Sequence, residues 1–336
     1  MKHLASLFSA VNSLPLIRTP HTRALFSLAL IFIVGSAFSA DGAFFEWGTH
    51  RDMLRQVSVI GILACGMTLV IVSGGIDLSV GSIMALAAVL FSLAAIQAGW
   101  PVWIAGLVAV GAGTLCGVVS GHVIAQYRVQ PFIATLAMMV FARGAAKLVS
   151  GGQKVSTAVQ GADGTYQYVE VPASFEFLNA RIIGDNIAVV TVILLFCLVA
   201  SWFLLSQTVL GRRLYAIGGN EEAAWISGIP VSRSKIAAYG LGGVFCAIAG
   251  ICQAAQELQG DPEAGVAYEL SAIAMVVIGG TTLRGGQGSI GLTVIGILII
   301  GYLEKILSIN AVGEETRLML TGLIIVVAVL FQGQKK

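Results

Sequence analysis

The chain of 336 residues is 57% hydrophobic and only 11% charged, and its mean hydropathy is +0.90. Soluble domains carry about 25% charged residues, so this composition excludes a soluble globular protein and predicts an all-α polytopic membrane protein. The formal net charge of +2 gives no reason to expect nucleic acid as a partner. No Gly-Lys pair occurs, so the chain has no Walker A motif and is not expected to hydrolyse nucleotide by itself.

Apolar blocks long enough to cross a bilayer, about 20 residues each, recur along the chain. Ten spans are predicted, at 24–40, 55–73, 78–98, 101–125, 131–149, 186–205, 236–256, 267–283, 288–308 and 314–331. Together they form a single membrane domain over 24–331, preceded by a short N-terminal segment, 1–23. That polar lead is long for a signal peptide, so we expect the first span to be an uncleaved helix.

The charges of the predicted loops indicate the orientation of the chain. With the N-terminus inside, the cytoplasmic side collects 11 of the 19 Lys and Arg residues, as the positive-inside rule requires. Both termini and the polar segment 206–235 are therefore predicted to be cytoplasmic. The segment 150–185 becomes the longest outer loop, and we expect it to be the docking surface for a soluble partner outside the membrane.

Two apolar runs are interrupted in a similar way, near 74–77 and near 279–288. In lipid, irregular backbone survives only where it is buried in protein or lines a water-filled cavity. The residues predicted to break the helices are two glycine pairs, Gly74 and Gly75, and Gly279 and Gly280. Both breaks are predicted to face the cytoplasm, so they do not indicate an inverted repeat.

Asp77 follows the first break and has two compatible interpretations. It can cap the next helix, with its carboxylate accepting backbone N–H bonds at the positive end of the helix dipole. It can also line or gate a pathway, because ionisable groups at membrane depth are rare and usually functional.

Two further patterns have a packing interpretation. Gly113, Gly117 and Gly121 share one helix face, where a neighbouring backbone can approach closely. Phe132 and Thr135 share a face of the fifth span; such a face is usually core, but an aromatic ring beside a hydroxyl can also stack on a sugar.

Within the segment 206–235, a short helix is predicted over about 221–227. Asn220 is a good N-cap, two glutamates occupy the first turn, and Gly228 before Pro230 ends the helix. An amphipathic helix that only anchors the loop to the membrane surface is one interpretation. A small, weakly hydrophobic helix that inserts into a groove of a partner protein is the other.

Four motifs resemble one family: TLVIVSGGIDLSVGSIMAL, QPFIATLAMMVFARG, GRRLYAIGGNEEAAWISGIPVSRSK and YELSAIAMVVIGGTTLRGGQGS. They are similar to signatures of the permease subunits of ribose-type monosaccharide ABC importers, in the branched-chain and ribose permease family. The third motif resembles that family's cytoplasmic coupling loop. The resemblance extends over about 55–331.

The resemblance implies a pore subunit in a bacterial inner membrane, without enzymatic activity, cofactor or metal site of its own. It implies three partners: a second permease, identical or related; a cytoplasmic ATPase that binds ATP and Mg²⁺; and an extracytoplasmic sugar-binding protein. The implied coupling helix comprises Asn220, Glu221, Glu222, Ala223, Ala224 and Gly228. The residues expected to line the pathway are Asp77, Ser79, Phe132 and Thr135.

Three alternatives remain at this stage. Permeases for nucleosides, signal molecules or branched-chain amino acids share the expected architecture, and the motifs do not identify the solute. An ion-coupled secondary transporter would use Asp77 as its proton or sodium site. A receptor or intramembrane enzyme is the third, but no HExxH, paired aspartate or Ser-Lys arrangement supports catalysis.

Overall fold

The computed structural model describes residues 19–160, 165–313, 315–317, 319–320 and 322–323. The helices are α1 Pro20–Ala37, α2 Trp47–Val72, α3 Val80–Ser92, α4 Val102–Tyr127, α5 Pro131–Ser150, α6 Ala173–Asn179, α7 Val189–Gln207, α8 Val209–Gly219, α9 Glu221–Ile226, α10 Val231–Glu257, α11 Tyr268–Gly279 and α12 Ile290–Ile309. A 3-10 turn, Ala43–Phe45, precedes α2, and α3 continues as a π-helical turn, Leu93–Gln97. The all-α architecture predicted from composition is confirmed.

Three helices form the centre of the bundle. α10 packs against both α2 and α3, and most residues of the three helices are buried. They are apolar around their whole circumference, as expected for helices that face protein on every side. α1, α4, α5 and α7 lie outside them and expose apolar side chains, which suits contact with lipid. Among the described residues, eight helices are long and apolar enough to cross a membrane.

The glycine face of α4 packs against α10, as its spacing predicts. A Cβ added to Gly117 would overlap the carbonyl oxygen of Tyr239, and one added to Gly121 would lie 2.9 Å from the Cα of Ile236. Gly113 and Gly243 approach each other in the same way, so the two backbones are in direct contact.

Two predicted spans have a different outcome. The span expected at 267–283 is the twelve-residue helix α11, because the chain stays irregular up to Ala267, at φ +67°, and turns again at Gly280, at φ +115°. α11 alone is too short to cross a bilayer, which takes about 20 residues. The span expected at 314–331 lies mostly outside the described residues.

The longest predicted loop, 150–185, carries small elements of its own. Antiparallel pairs join β1 (Ala158–Gln160) to β2 (Tyr166–Tyr168) and β3 (Arg181–Ile182) to β4 (Ile187–Ala188). The helix α6 lies between the two pairs and buries Phe175 against Phe91 of α3, with ring centroids 5.0 Å apart.

The end of the bundle that carries residues 150–185 is called here the opposite end, in contrast to the end that carries residues 208–230. It is held together by polar contacts. Val155 and Gly260 exchange backbone hydrogen bonds of 2.8 Å, and Lys154 pairs with Asp261 at 2.9 Å. The hydrogen bond and charge of Asp261 raise the pKa of Lys154, so the lysine stays charged. Arg143 of α5 donates to the carbonyl of Ala264 at 2.8 Å. These contacts fix the loop before α11 onto the C-terminal end of α5.

Candidate functional site

The end of the bundle that carries residues 208–230 is called here the loop end. It contains two helices, of which only the second was predicted. α8 begins after Thr208, whose hydroxyl accepts a hydrogen bond from the Gly211 amide at 3.2 Å. The missed signal is this N-cap followed by buried Leu214 and Ile217, spaced as one helix face requires.

The predicted short helix is present as α9. The Asn220 side chain accepts a hydrogen bond from the Ala223 amide at 2.9 Å, and Glu221 and Glu222 occupy the first turn. Gly228, at φ +80°, then turns the chain toward α10. α10 begins at Val231, directly after its N-cap Pro230 and five residues earlier than the predicted span, because its first turn is polar and was not counted in the apolar run.

α9 presents two different faces. Ala224 is 4% exposed and packs with Ile217 and Val231, so this predicted coupling residue faces the protein rather than a partner. Trp225 and Ile226 are instead 70% and 72% exposed, beside the exposed Glu222 and Ala223. Sequence reasoning did not select these two apolar residues, although large apolar side chains on a short polar helix are a signal of an interface.

An ion pair ties α9 to the centre of the bundle. The ammonium of Lys235, in the first turns of α10, lies 2.6 Å from the carboxylate of Glu221, at the start of α9. The Lys235 side chain is only 13% exposed, so its pair with Glu221 is partly shielded from solvent. A displacement of α9 therefore acts directly on α10.

The first break lies at the loop end and differs in one detail from its prediction. Gly74 adopts φ +82° and ends α2, as expected. The N-cap of α3, however, is Ser79, and Asp77 lies two residues before it. The Asp77 carboxylate accepts from the amide of Ser79 at 2.8 Å and from its hydroxyl, so it closes an Asx turn instead of capping the helix.

Three of the four predicted pathway residues are buried together at this break. Asp77 is 1% exposed, and Ser79 and Thr135 are fully buried, with the Thr135 hydroxyl 3.4 Å from the carbonyl of Ile76. Tyr239 of α10 also donates to Ile76, at 3.3 Å. Phe132 is separate from them and 53% exposed on the surface of α5. Thr135 of α5 and Tyr239 of α10 thus reach the same carbonyl in the segment before α3, which closes a contact between α3, α5 and α10.

The second break packs against both the first break and α8. The two predicted residues of this break behave as expected: Gly279 ends α11 and Gly280 turns the chain. Further along the break, the Gly286 amide donates a hydrogen bond of 2.9 Å to the Val72 carbonyl. The Tyr215 hydroxyl of α8 donates to the Gly288 carbonyl at 2.8 Å. Burial raises the pKa of Tyr215, which keeps its hydroxyl available as a donor. The loop end is thus one connected unit of α8, α9 and both breaks.

Comparison with known proteins places the chain in a family. The profile of the family described as branched-chain amino acid transport system / permease component matches residues 51–329. The chain belongs to this family. It is therefore a permease, and a multi-pass membrane protein in agreement with its apolar helices.

Curated relatives cover the permease over nearly its whole length. It is 39% identical to ribose import permease protein RbsC of Escherichia coli, over 92% of this chain and 93% of that one. It is 35% identical to fructose import permease protein FrcC of Rhizobium meliloti, over 86% and 78% of the two chains. It is 32% identical to xylose transport system permease protein XylH of Escherichia coli, over 98% and 95%. No solved structure matches the permease significantly.

Proposed function

We propose that the permease is the membrane-spanning subunit of an ATP-binding-cassette importer that carries a monosaccharide. The observation that supports it most directly is α9, which exposes Trp225 and Ile226 while Glu221 is paired with the central helix α10. A short helix of this kind suits the groove of a partner ATPase. The relatives named for ribose, fructose and xylose support a pentose or hexose as the solute.

In this proposal the ATPase binds the loop end and supplies the energy. ATP and Mg²⁺ bind the ATPase, and closure of its nucleotide domains moves α9. The permease itself contributes no covalent chemistry. Nucleotide binding favours one conformation of the complex over another, which is the differential free energy that a driven conformational change requires.

A second permease subunit, identical or related, completes the pathway in this proposal. Phe132, on the exposed face of α5, would lie toward that subunit, and Asp77, Ser79 and Thr135 would reach the pathway when the contact between α3, α5 and α10 opens. A soluble sugar-binding protein would deliver the solute at the opposite end. Selectivity would then reside mainly in the binding protein.

Co-purification tests the proposed function. Tagged permease is extracted from its native membrane in a mild detergent, and the proteins that accompany it are identified by mass spectrometry. We expect an ABC ATPase in stoichiometric amount, and a soluble sugar-binding protein in nucleotide-free samples. A permease that purifies alone but still catalyses uptake in vesicles without ATP would contradict the proposal.

The proposed orientation places the loop end in the cytoplasm of a bacterial cell, with both termini on the same side of the inner membrane. Ser227→Cys, at the exposed C-cap of α9, should react with a membrane-impermeant maleimide only after the cells are opened. Glu170→Cys at the opposite end should react in intact cells. The five native cysteines are buried, so background labelling should be low. Labelling of Ser227→Cys in intact cells would show the inverse orientation.

A further inference from the structure

At the loop end, glycines from three distant parts of the chain are in backbone contact. A Cβ added to Gly285 would lie 2.7 Å from the Cα of Gly74 and 2.9 Å from that of Gly218. One added to Gly286 would lie 2.7 Å from the Cα of Gly219. We call Gly74, Gly218, Gly285 and Gly286 the glycine junction. It joins the end of α8 to both breaks without any intervening side chain.

The two breaks that meet at the junction connect four helices of the bundle. The first break connects α2 to α3, and the second connects α11 to α12. The hydrogen bond from the Gly286 amide to the Val72 carbonyl ties the second break to the end of α2. A movement of the junction therefore reaches all four helices at once.

The junction is also joined directly to α9. Gly219 is the last residue of α8, and Asn220, the next residue, caps α9. The hydrogen bond from the Tyr215 hydroxyl to the Gly288 carbonyl holds α8 against the second break. No flexible linker separates α9 from the junction. A displacement of α9 is therefore not absorbed between them.

We propose that the glycine junction transmits the movement of α9 to the two breaks, with α8 and the breaks moving as one unit. This inference rests on the proposed function, because it assumes that the ATPase acts on α9. Packed backbones make such a unit stiff, because a contact between peptide groups has no side-chain rotamers through which it can yield. Gly218, Gly285 and Gly286 are then coupling residues, although they do not touch the ATPase in this proposal.

Gly218 is the best position for a test. Gly74, Gly285 and Gly286 have φ of +82°, +82° and +70°, so substitution there would strain the backbone as well as fill space. Gly218 and Gly219 are helical, without positive φ. A Cβ on Gly218 would overlap the Val72 carbonyl and the Gly286 amide, whereas one on Gly219 would meet nothing within 4 Å. Gly219→Ala is therefore a matched control for Gly218→Ala.

The experiment compares ATPase co-purification and ATP-driven sugar uptake for the two variants. We expect Gly218→Ala to retain the ATPase but to lose about tenfold in uptake, a typical effect of mutations that weaken coupling without contacting a ligand. Gly219→Ala should match the unmodified permease in both. Unchanged uptake in Gly218→Ala would overturn the inference, as would loss of the ATPase from that variant. Absence of the ATPase from the unmodified permease would instead contradict the proposed function itself.

A second measurement does not depend on how well Gly218→Ala folds. Gly219→Cys with Gln287→Cys places two exposed thiols on either side of the junction, and a short bifunctional maleimide can link them. Because α8 and the second break are proposed to move together, uptake should survive the cross-link. Loss of uptake in the cross-linked double variant, with normal uptake in each single variant treated alike, would overturn the inference.

Discussion

Replacing Trp225 and Ile226 with serine should detach the ATPase and abolish ATP-driven uptake. Both side chains project from α9 and are largely exposed, while the opposite face of the helix is packed on Ile217 and Val231. Apolar anchors of this kind dominate binding energy at interfaces, and truncating one costs about 2 kcal/mol or more, roughly a 30-fold loss of affinity. The double variant should therefore leave no measurable complex at ordinary protein concentrations.

The measurement is co-purification of the ATPase together with uptake, and the chain offers a matched control. Trp202, on α7, is 51% exposed near the same end of the bundle, but it lies on a helix that spans the membrane. Trp202→Ser should leave the complex intact. An ATPase that remains bound to the Trp225→Ser, Ile226→Ser variant would favour the other interpretation of α9, an interfacial helix that only anchors the loop to lipid.

The second large effect is expected at Asp77, where alanine and asparagine should differ. Asp77→Ala leaves the amide and the hydroxyl of Ser79 buried without their acceptor. Each unsatisfied group destabilises the fold by about 1–3 kcal/mol. We expect the first break to lose its turn and uptake to fall below detection. Asp77→Asn keeps an acceptor oxygen at the same place, so the turn and most of the uptake should remain.

This pair of variants also separates the ABC importer from an ion-coupled transporter. Asp77 is buried, and its second carboxylate oxygen has no hydrogen-bond partner within the part of the chain that the structure describes, which is the observation that favours an ion site. An ion-coupled transporter would lose coupling in Asp77→Asn, because the amide cannot carry a negative charge. Uptake by Asp77→Asn that persists with ATP and is insensitive to collapse of the proton and sodium gradients would exclude that mechanism.

Local patterns in the sequence predicted the helices, the breaks and α9 well. Long apolar runs determine membrane helices because lipid leaves backbone groups no other partner. Gly74 and Gly280 mark the ends of helices because both adopt positive φ. Asn220, followed by two glutamates, contains the whole signal for the start of α9.

Contacts between distant segments could not be predicted in the same way. The junction brings together Gly74, Gly218 and Gly285, which no local pattern relates. The Gly218-Gly219 pair ends the helix α8, and it is close packing that requires Gly218, because a Cβ there would overlap the Val72 carbonyl. The burial of Ala224 likewise depends on its contact with Ile217 and Val231, and only the folded chain brings these residues together.

The measurement that tests the central claim most directly is sugar uptake by right-side-out vesicles from the native membrane, loaded with ATP or with a non-hydrolysable analogue. Labelled ribose, fructose and xylose are supplied in turn with the soluble extracytoplasmic proteins of the same cells. The proposed importer predicts that at least one sugar accumulates, that accumulation requires both hydrolysable ATP and the soluble fraction, and that deletion of this permease abolishes it. Accumulation that continues without ATP and follows an ion gradient would contradict the proposal.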